Sequence, residues 1–150
     1  MFRTTGLIAA VILAIGAHSA SAGTPQEERN KANAIAFYEA LFNKKDWNEA
    51  KQYVGSYWLE HNPQAPRDQG LKGLEGFARM VPRLHPEHRS IIKRAAAQGD
   101  LVFLQVHSLE QPDIRGNSMM QFFRFENGRI VESWPVFQVI PGVENANGMF

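Results

Sequence analysis

Residues 117–140 read NSMMQFFRFENGRIVESWPVFQVI, and the Asn127-Gly128 pair inside them is the clearest chain-reversal signal in the sequence. Asn-Gly between alternating apolar residues is typical of a two-residue hairpin turn with positive φ at both positions. We therefore expect antiparallel strands at residues 117–126 and 129–140. Gly99-Asp100 separates a second pair of strand-like stretches, residues 91–98 and 101–109. Together these stretches predict an antiparallel meander.

The half of the chain before this meander is predicted to be mostly helical. Thr24, Pro25 and Glu27 form a capping sequence for a first helix that runs to about Asn43. Asp46 caps a short second helix that Gly55 ends, and residues 56–61 are predicted to form a short strand or extended segment. A loop over residues 62–73 leads to a third helix of about two turns that ends near Pro82. Helices followed by a meander predict an α+β fold, in which a curved antiparallel sheet packed by the helices encloses a pocket.

The first 22 residues have the pattern of a cleavable leader. Arg3 precedes an uncharged run over residues 6–16, and Ala20-Ser21-Ala22 is typical of a signal-peptidase site. A run of that length is too short to span a bilayer, which takes roughly 20 residues. We expect cleavage before Gly23, export to the periplasm or the medium, and no membrane partner afterwards. Residues 23–150 then form one domain with a short tail from Pro141.

Composition excludes several classes of site and partner. The chain has no cysteine, so thiolate zinc sites, redox pairs and cysteine nucleophiles are ruled out. Arg3 is the only charge in the leader, which leaves 16 − 1 = 15 basic and 15 acidic residues, and this balance predicts no nucleic-acid partner. We interpret His85-Pro86-Glu87-His88 as a polar loop and not as a metal site, because its proline breaks any helix. We expect neither a metal nor a cofactor.

Two groups of residues resemble the SnoaL-like proteins of the nuclear-transport-factor-2-like superfamily. The first is WLEHNP at residues 58–63 with GLEGF at residues 73–77, and the second includes VHS at residues 106–108 and FRFENGRIVE at residues 123–132. Trp134 and Gln138 continue the second group, so the resemblance covers nearly the whole mature chain. It implies a cone-shaped barrel: a curved sheet closed by helices around a deep pocket. Members of the family include polyketide cyclases, isomerases and hydrolases, so the fold alone does not fix a reaction.

The sequence departs from the family at its ionisable positions. The family's last strand carries Glu-His-Trp-Asp, whereas this chain has Glu132-Ser133-Trp134-Pro135. An aspartate that is usual earlier in the family is Gln121 here. Ser133, Pro135 and Gln121 cannot act as bases near neutral pH. Pro135 also removes a backbone donor, so the last strand is expected to be bulged or at an edge of the sheet there.

The resemblance leaves two ionisable candidates, His61 and His107. As catalytic residues, His61 would position or protonate an oxygen and His107 would act as the general base. From the residues alone, the favoured interpretation of His107 is a histidine bonded to backbone at the edge of the core. His61 can equally be a solvent-exposed loop histidine. The remaining candidate pocket residues are Trp58, Gln105, Gln121, Phe123, Trp134 and Gln138. Both faces of the predicted strands are largely apolar, so the pattern does not indicate which face meets the pocket.

Three functions stay open at this point. The first is cofactor-free acid/base chemistry on a small, mostly apolar carbonyl compound. The second is a binding module that keeps the pocket for a small hydrophobic ligand and has lost the catalytic acids. The third is an interaction domain, because sheets of this superfamily often pair, which predicts a homodimer through the sheet.

Overall fold

The computed structural model describes residues 23–63, 65, 70–142 and 148–150. The predicted leader, residues 1–22, lies outside the described residues, so its cleavage and the export of the protein stay predictions. Within the described ranges, no helix is long and apolar enough to cross a membrane.

In the described part of the chain, three α-helices precede the strands or lie between them. α1 spans Pro25–Tyr38, α2 spans Trp47–Ala50 and α3 spans Gly70–Leu84. α1 continues as a π-helical segment, Glu39–Lys44, and α2 continues as a 3₁₀ turn, Lys51–Tyr53. The first helical stretch therefore ends within one residue of the predicted position, although its last turns are wider than an α-helix.

Both predicted helix caps are confirmed. Thr24 Oγ1 accepts a hydrogen bond from the Glu27 backbone at 3.2 Å, and Glu27 Oε2 accepts one from the Thr24 backbone at 2.6 Å. Asp46 Oδ1 accepts from the Glu49 backbone at 3.1 Å. These bonds satisfy amide groups that the first turn of a helix otherwise leaves without partners.

Among the described residues, five strands form one sheet in the order β1-β5-β4-β3-β2. Their bounds are β1 Val54–Glu60, β2 Arg89–Gln98, β3 Leu101–Leu109, β4 Asn117–Glu126 and β5 Arg129–Val139. β2 to β5 form the predicted antiparallel meander, and β1 joins β5 in parallel. The α+β class is thus confirmed. Register shifts in three of the pairings indicate bulges, which bend a sheet. The sheet stays open instead of closing into a barrel, because β1 and β2 are its two edges.

The turn chemistry of both hairpins agrees with the prediction. Asn127 and Gly128 have φ of 51° and 75°, so both lie in the left-handed region that the Asn-Gly pair favours. Gly99 has φ of 61° in the first hairpin. The strand bounds follow from these turns to within about two residues.

Two local predictions differ from the structure. α3 begins at Gly70 and runs through Pro82 to Leu84, so it is twice as long as expected. Near the end of a helix a proline removes only one hydrogen bond, and burial of Leu74, Ala78 and Val81 against the core offsets that loss. Gly55 lies inside β1 and does not end the second helix.

The structure gives the physical reason why Pro135 is tolerated in a strand with neighbours on both sides. The last β1–β5 pair is Glu60 with Ser133, and the His61 backbone donates to Ser133 O at 2.9 Å. Pro135 is two residues further on, so its nitrogen faces the same side, where β1 has already ended. No ladder donor is lost, because β5 is locally an edge on the β1 side, while Pro135 stays in register with Gln121 of β4.

The core fills the space between the helices and one face of the sheet, which we call the inner face. Along β3, Val102, Leu104 and Val106 are fully buried on this face. The Phe37 ring of α1 lies 5.6 Å from the Phe123 ring of β4 and 6.1 Å from the Trp58 ring of β1. Alternate residues, including Phe103 and Phe122, lie on the opposite, outer face, where their rings are 5.1 Å apart.

Gly116 is the glycine at which the fold is least tolerant of a side chain. Its φ is 74°, and a Cβ there would overlap the carbonyl oxygen of Ser108. We expect Gly116→Ala to lower the free energy of unfolding by about 3 kcal/mol, which combines left-handed strain with a steric clash. Gly99→Ala is the control: its φ is 61° but it has open space around it, so the loss is about 1 kcal/mol. Urea denaturation measures both, and equal losses would contradict the clash.

Candidate functional site

The inner face holds a cavity of about 270 Å³ between α1, its π-helical continuation, α3 and the strands β1, β4 and β5. That volume is at the small end of the range for small-molecule sites. Most of the lining is apolar: Phe37, Tyr38, Leu41, Phe42, Trp58, Leu74, Phe77, Met80, Val81, Met119, Phe123, Pro135 and Phe137. The polar remainder is Glu60, Asn62, His85, His88, Ser108, Glu110, Asn117, Gln121 and Ser133.

Tyr38 places a buried phenol in the wall of the cavity. Its side chain is 2% exposed, and its hydroxyl has one described partner, Met119 Sδ at 3.9 Å. A thioether sulfur is a weak acceptor, so this donor is poorly satisfied for a buried group. Burial raises the pKa of Tyr38 well above its usual range, which keeps the hydroxyl protonated. The cavity wall thus carries a strong donor that lacks a strong acceptor.

Gln121 and Ser133 form a neutral pair on neighbouring strands. Gln121 Nε2 donates to Ser133 Oγ at 3.0 Å and to Phe122 O at 3.1 Å. Because Ser133 Oγ accepts from the amide, its own hydrogen is left to point elsewhere in the cavity. Both side chains are about 95% buried or more. The positions that carry ionisable residues in the family therefore carry a hydrogen-bonding pair that does not titrate.

His88 belongs to the loop between α3 and β2 and lines the cavity together with His85. It is 9% exposed, its Nε2 shares a hydrogen bond with Ser90 Oγ at 3.0 Å, and its ring lies 5.4 Å from that of Phe42. Burial lowers the pKa of His88 below 6.5, and the positive charge of Lys45 acts in the same direction. His88 is therefore a neutral imidazole at pH 7.

The π-helical segment explains why this loop reaches the cavity. Asn43 Nδ2 donates to Ser90 O at 2.9 Å, and Asn43 Oδ1 accepts from the Ser90 backbone at 2.8 Å. Lys45 has φ of 57° and its Nζ donates to His88 O at 3.0 Å. These bonds tie the loop to the end of the first helical stretch. Sequence reasoning missed His85 and His88, because their spacing around a proline resembles an ordinary polar loop.

Glu60 and Trp58 connect the end of β1 to the cavity. Glu60 Oε2 accepts from Trp58 Nε1 at 3.3 Å, and Glu60 Oε1 accepts from the Asn62 backbone at 2.8 Å. The indole N–H of Trp58 is therefore oriented by a carboxylate at the cavity. Among the described residues, no group of three or more histidine or acidic side chains is placed to hold a metal ion.

The structure divides the predicted site residues between the two faces of the sheet. Trp58, Gln121 and Phe123 line the cavity. The others do not, and they lie on the outer face or at its rim: His61, Gln105, His107, Trp134 and Gln138. His107 Nε2 donates to Arg115 O at 2.7 Å, and its ring is 4.8 Å from that of Phe150. His107 therefore bonds to backbone on the face away from the cavity.

His61 takes part in a charged network at the rim of the outer face. Its Nε2 donates to Glu132 Oε1 at 2.7 Å, and its ring stacks on Trp134 at 4.7 Å between ring centres. Arg124 Nε donates to Glu132 Oε2 at 2.6 Å. Partial burial acts to raise the pKa of Glu132, but the bonds from His61 and Arg124 outweigh it and hold that pKa below 4.5. The expected homodimer through the sheet would involve this outer face and stays a prediction.

The comparisons with known proteins agree with this fold. The family model of the SnoaL-like domain matches residues 34–133. No curated protein matches the chain significantly. IdmH of Streptomyces antibioticus, a proposed polyketide cyclase, is 18% identical with a TM-score of 0.60, covering 72% of this chain and 91% of its own.

Two further solved structures have the same fold. A SnoaL-like protein of unknown function from Burkholderia thailandensis has 13% identity and a TM-score of 0.63, over 75% of this chain and 96% of its own. A proposed ketosteroid isomerase from Kribbella flavida has 14% identity and a TM-score of 0.63, over 81% of this chain and 87% of its own. At these identities the likeness establishes the fold and leaves the reaction open.

Proposed function

Because this chain belongs to the family of SnoaL-like domains, whose fold supports several reactions, we propose its function from its own cavity. The protein binds a small, mostly apolar molecule that carries a carbonyl or hydroxyl oxygen. It does so outside the cytoplasm, in the compartment that the leader predicts. The Tyr38 hydroxyl is the observation that carries this proposal.

A buried donor with only a sulfur partner is stabilised by any ligand oxygen that reaches it. The Tyr38 hydroxyl stays protonated because burial raises its pKa, so it donates and does not compete as an anion. The Ser133 hydroxyl supplies a second neutral donor, since Gln121 already occupies its acceptor side. The aromatic walls around Phe37, Trp58 and Phe123 favour a flat or compact apolar body.

Tyr38→Phe tests the proposal with two probes of matched shape, 1-tetralone and tetralin, which differ only by a carbonyl. We expect the variant to bind 1-tetralone about fivefold to tenfold more weakly than the wild type, because one buried hydrogen bond is lost. Affinity for tetralin stays unchanged, since no oxygen is present. Tryptophan fluorescence and calorimetry measure both dissociation constants.

Tyr57→Phe is the matched control for this pair of measurements. The Tyr57 hydroxyl bonds to Glu126 Oε1 at 2.5 Å and Tyr57 does not line the cavity. Its removal leaves both affinities unchanged. Equal weakening of 1-tetralone and tetralin by Tyr38→Phe, or no binding of either probe by the wild type, would overturn the proposal.

A second candidate function is cofactor-free proton transfer on the same ligand, and it rests on His88. The imidazole lines the cavity and is neutral at pH 7 because burial lowers its pKa. In the tautomer that donates from Nε2 to Ser90 Oγ, Nδ1 keeps a lone pair that can accept a proton. A neutral imidazole beside a polarised carbonyl is an arrangement for removing an α-hydrogen. Of the two functions, binding is the one that the non-titrating Gln121–Ser133 pair favours.

A further inference from the structure

Apolar surface continues from the cavity onto the outside of α3. Phe77 and Met80, which line the cavity, are 41% and 39% exposed, and Leu84 is 64% exposed. Large apolar side chains that remain this exposed beside a pocket are typical of a surface that a ligand or partner covers.

A second cavity of about 210 Å³ lies along this part of α3. Its lining is Gly76, Arg79, Met80, Arg83 and Leu84. These positions follow the helical repeat of three and four residues, so they form one stripe that spans about 12 Å along the helix. Met80 lines both cavities, so its side chain is the wall that separates the groove from the main site.

The far end of the groove is positively charged. Arg79 is paired within the helix, because its Nη2 and Nε lie 2.6 Å and 3.0 Å from Glu75 Oε1. Arg83, one turn further on, has neither a hydrogen bond nor an ion pair within the described part of the chain. Its guanidinium is a planar donor whose geometry matches a carboxylate.

We propose that the site takes an elongated amphiphile with a carboxylate at one end. The apolar body occupies the main cavity, the chain crosses Met80 into the groove, and the carboxylate pairs with Arg83. This inference rests on the proposed function and narrows its ligand to an acid longer than the main cavity alone would hold.

Decanoate and 1-decanol are the probes, because they share a chain and differ in the charged end. We expect Arg83→Gln to weaken decanoate binding about threefold at low ionic strength, the size of an exposed ion pair. Affinity for 1-decanol stays the same. The threefold effect disappears near 1 M salt, where exposed charges are screened. Arg29→Gln, which removes an exposed arginine of α1, changes neither affinity and serves as the control.

The outcomes separate this inference from the proposed function. If Arg83→Gln leaves decanoate binding unchanged at low salt, or weakens 1-decanol equally, the carboxylate site is wrong. If 1-tetralone binds but decanoate and 1-decanol do not, the inference fails while the proposed function stands. If none of the three binds the wild type, both are overturned.

Discussion

Phe123→Ala lowers the free energy of unfolding by about 4 kcal/mol, the cost of a large cavity in a packed core. Phe123 is 2% exposed and its ring meets those of Phe37, Tyr38 and Trp58. Few neighbours can move in to fill the space, because the same rings also form the wall of the ligand cavity. Urea denaturation followed by circular dichroism measures the loss.

Phe103→Ala is the matched control, since it deletes the same ring from the outer face of the neighbouring strand. Phe103 is only partly buried and contacts one ring, that of Phe122. We expect a loss of about 1 kcal/mol there. If Phe103→Ala were as costly as Phe123→Ala, the core would not be confined to the inner face.

For the second candidate function, proton transfer, replacement of His88 is expected to have the largest effect. 1-Tetralone in D₂O exchanges its α-hydrogens for deuterium when a base in the cavity removes them, and NMR follows this without a known product. His88→Gln lowers the rate of the catalysed exchange about 100-fold, because glutamine keeps a hydrogen bond but cannot take a proton.

The pH dependence has a definite sign. Only the neutral imidazole acts as a base, and burial lowers the pKa of His88 below 6.5. The exchange rate therefore rises with pH through a midpoint below 6.5 and is level at neutral pH. His61→Gln and His107→Gln leave the rate unchanged, since neither side chain lines the cavity. A fall in the exchange rate that is confined to His107→Gln would contradict the assignment of His88 as the base. If the wild type catalyses no exchange, proton transfer is ruled out and ligand binding remains as the proposed function.

The strands could be predicted from sequence because their turns are chemically distinctive. Asn127-Gly128 and Gly99-Asp100 set the hairpins, and the bounds of β3 and β4 follow directly. The parallel pairing of β1 with β5 joins residues about 75 positions apart, and no local pattern encodes such a contact. α3 is longer than predicted. Glycine and proline weaken a helix only locally, whereas burial of the apolar stripe of α3 acts over its whole length.

The candidate site is harder to predict than the strands, because sequence alternation does not show which face of a strand lines the cavity. Both faces of β3 and β5 are largely apolar, so alternation separated the faces without showing which one meets the helices. His107 and Trp134 were thus assigned to the cavity although they lie opposite it, whereas Gln121 and Phe123 do line it. Tyr38 gave no local signal, since a tyrosine at helical spacing fits any core. Its poor hydrogen bond to Met119 appears only in three dimensions.

The indole N–H signals of the three tryptophans test the central claim, that the inner-face cavity is the ligand site. Trp58 lines the cavity and Trp134 stacks on His61 at the outer rim. Trp47 of α2 packs against the core without lining the cavity, so it is the internal reference. In ¹H–¹⁵N spectra recorded during a titration with 1-tetralone, we expect the Trp58 signal to move and saturate. Those of Trp134 and Trp47 stay in place. Saturable movement of the Trp134 signal with Trp58 unmoved would contradict the assignment and place the ligand on the outer face.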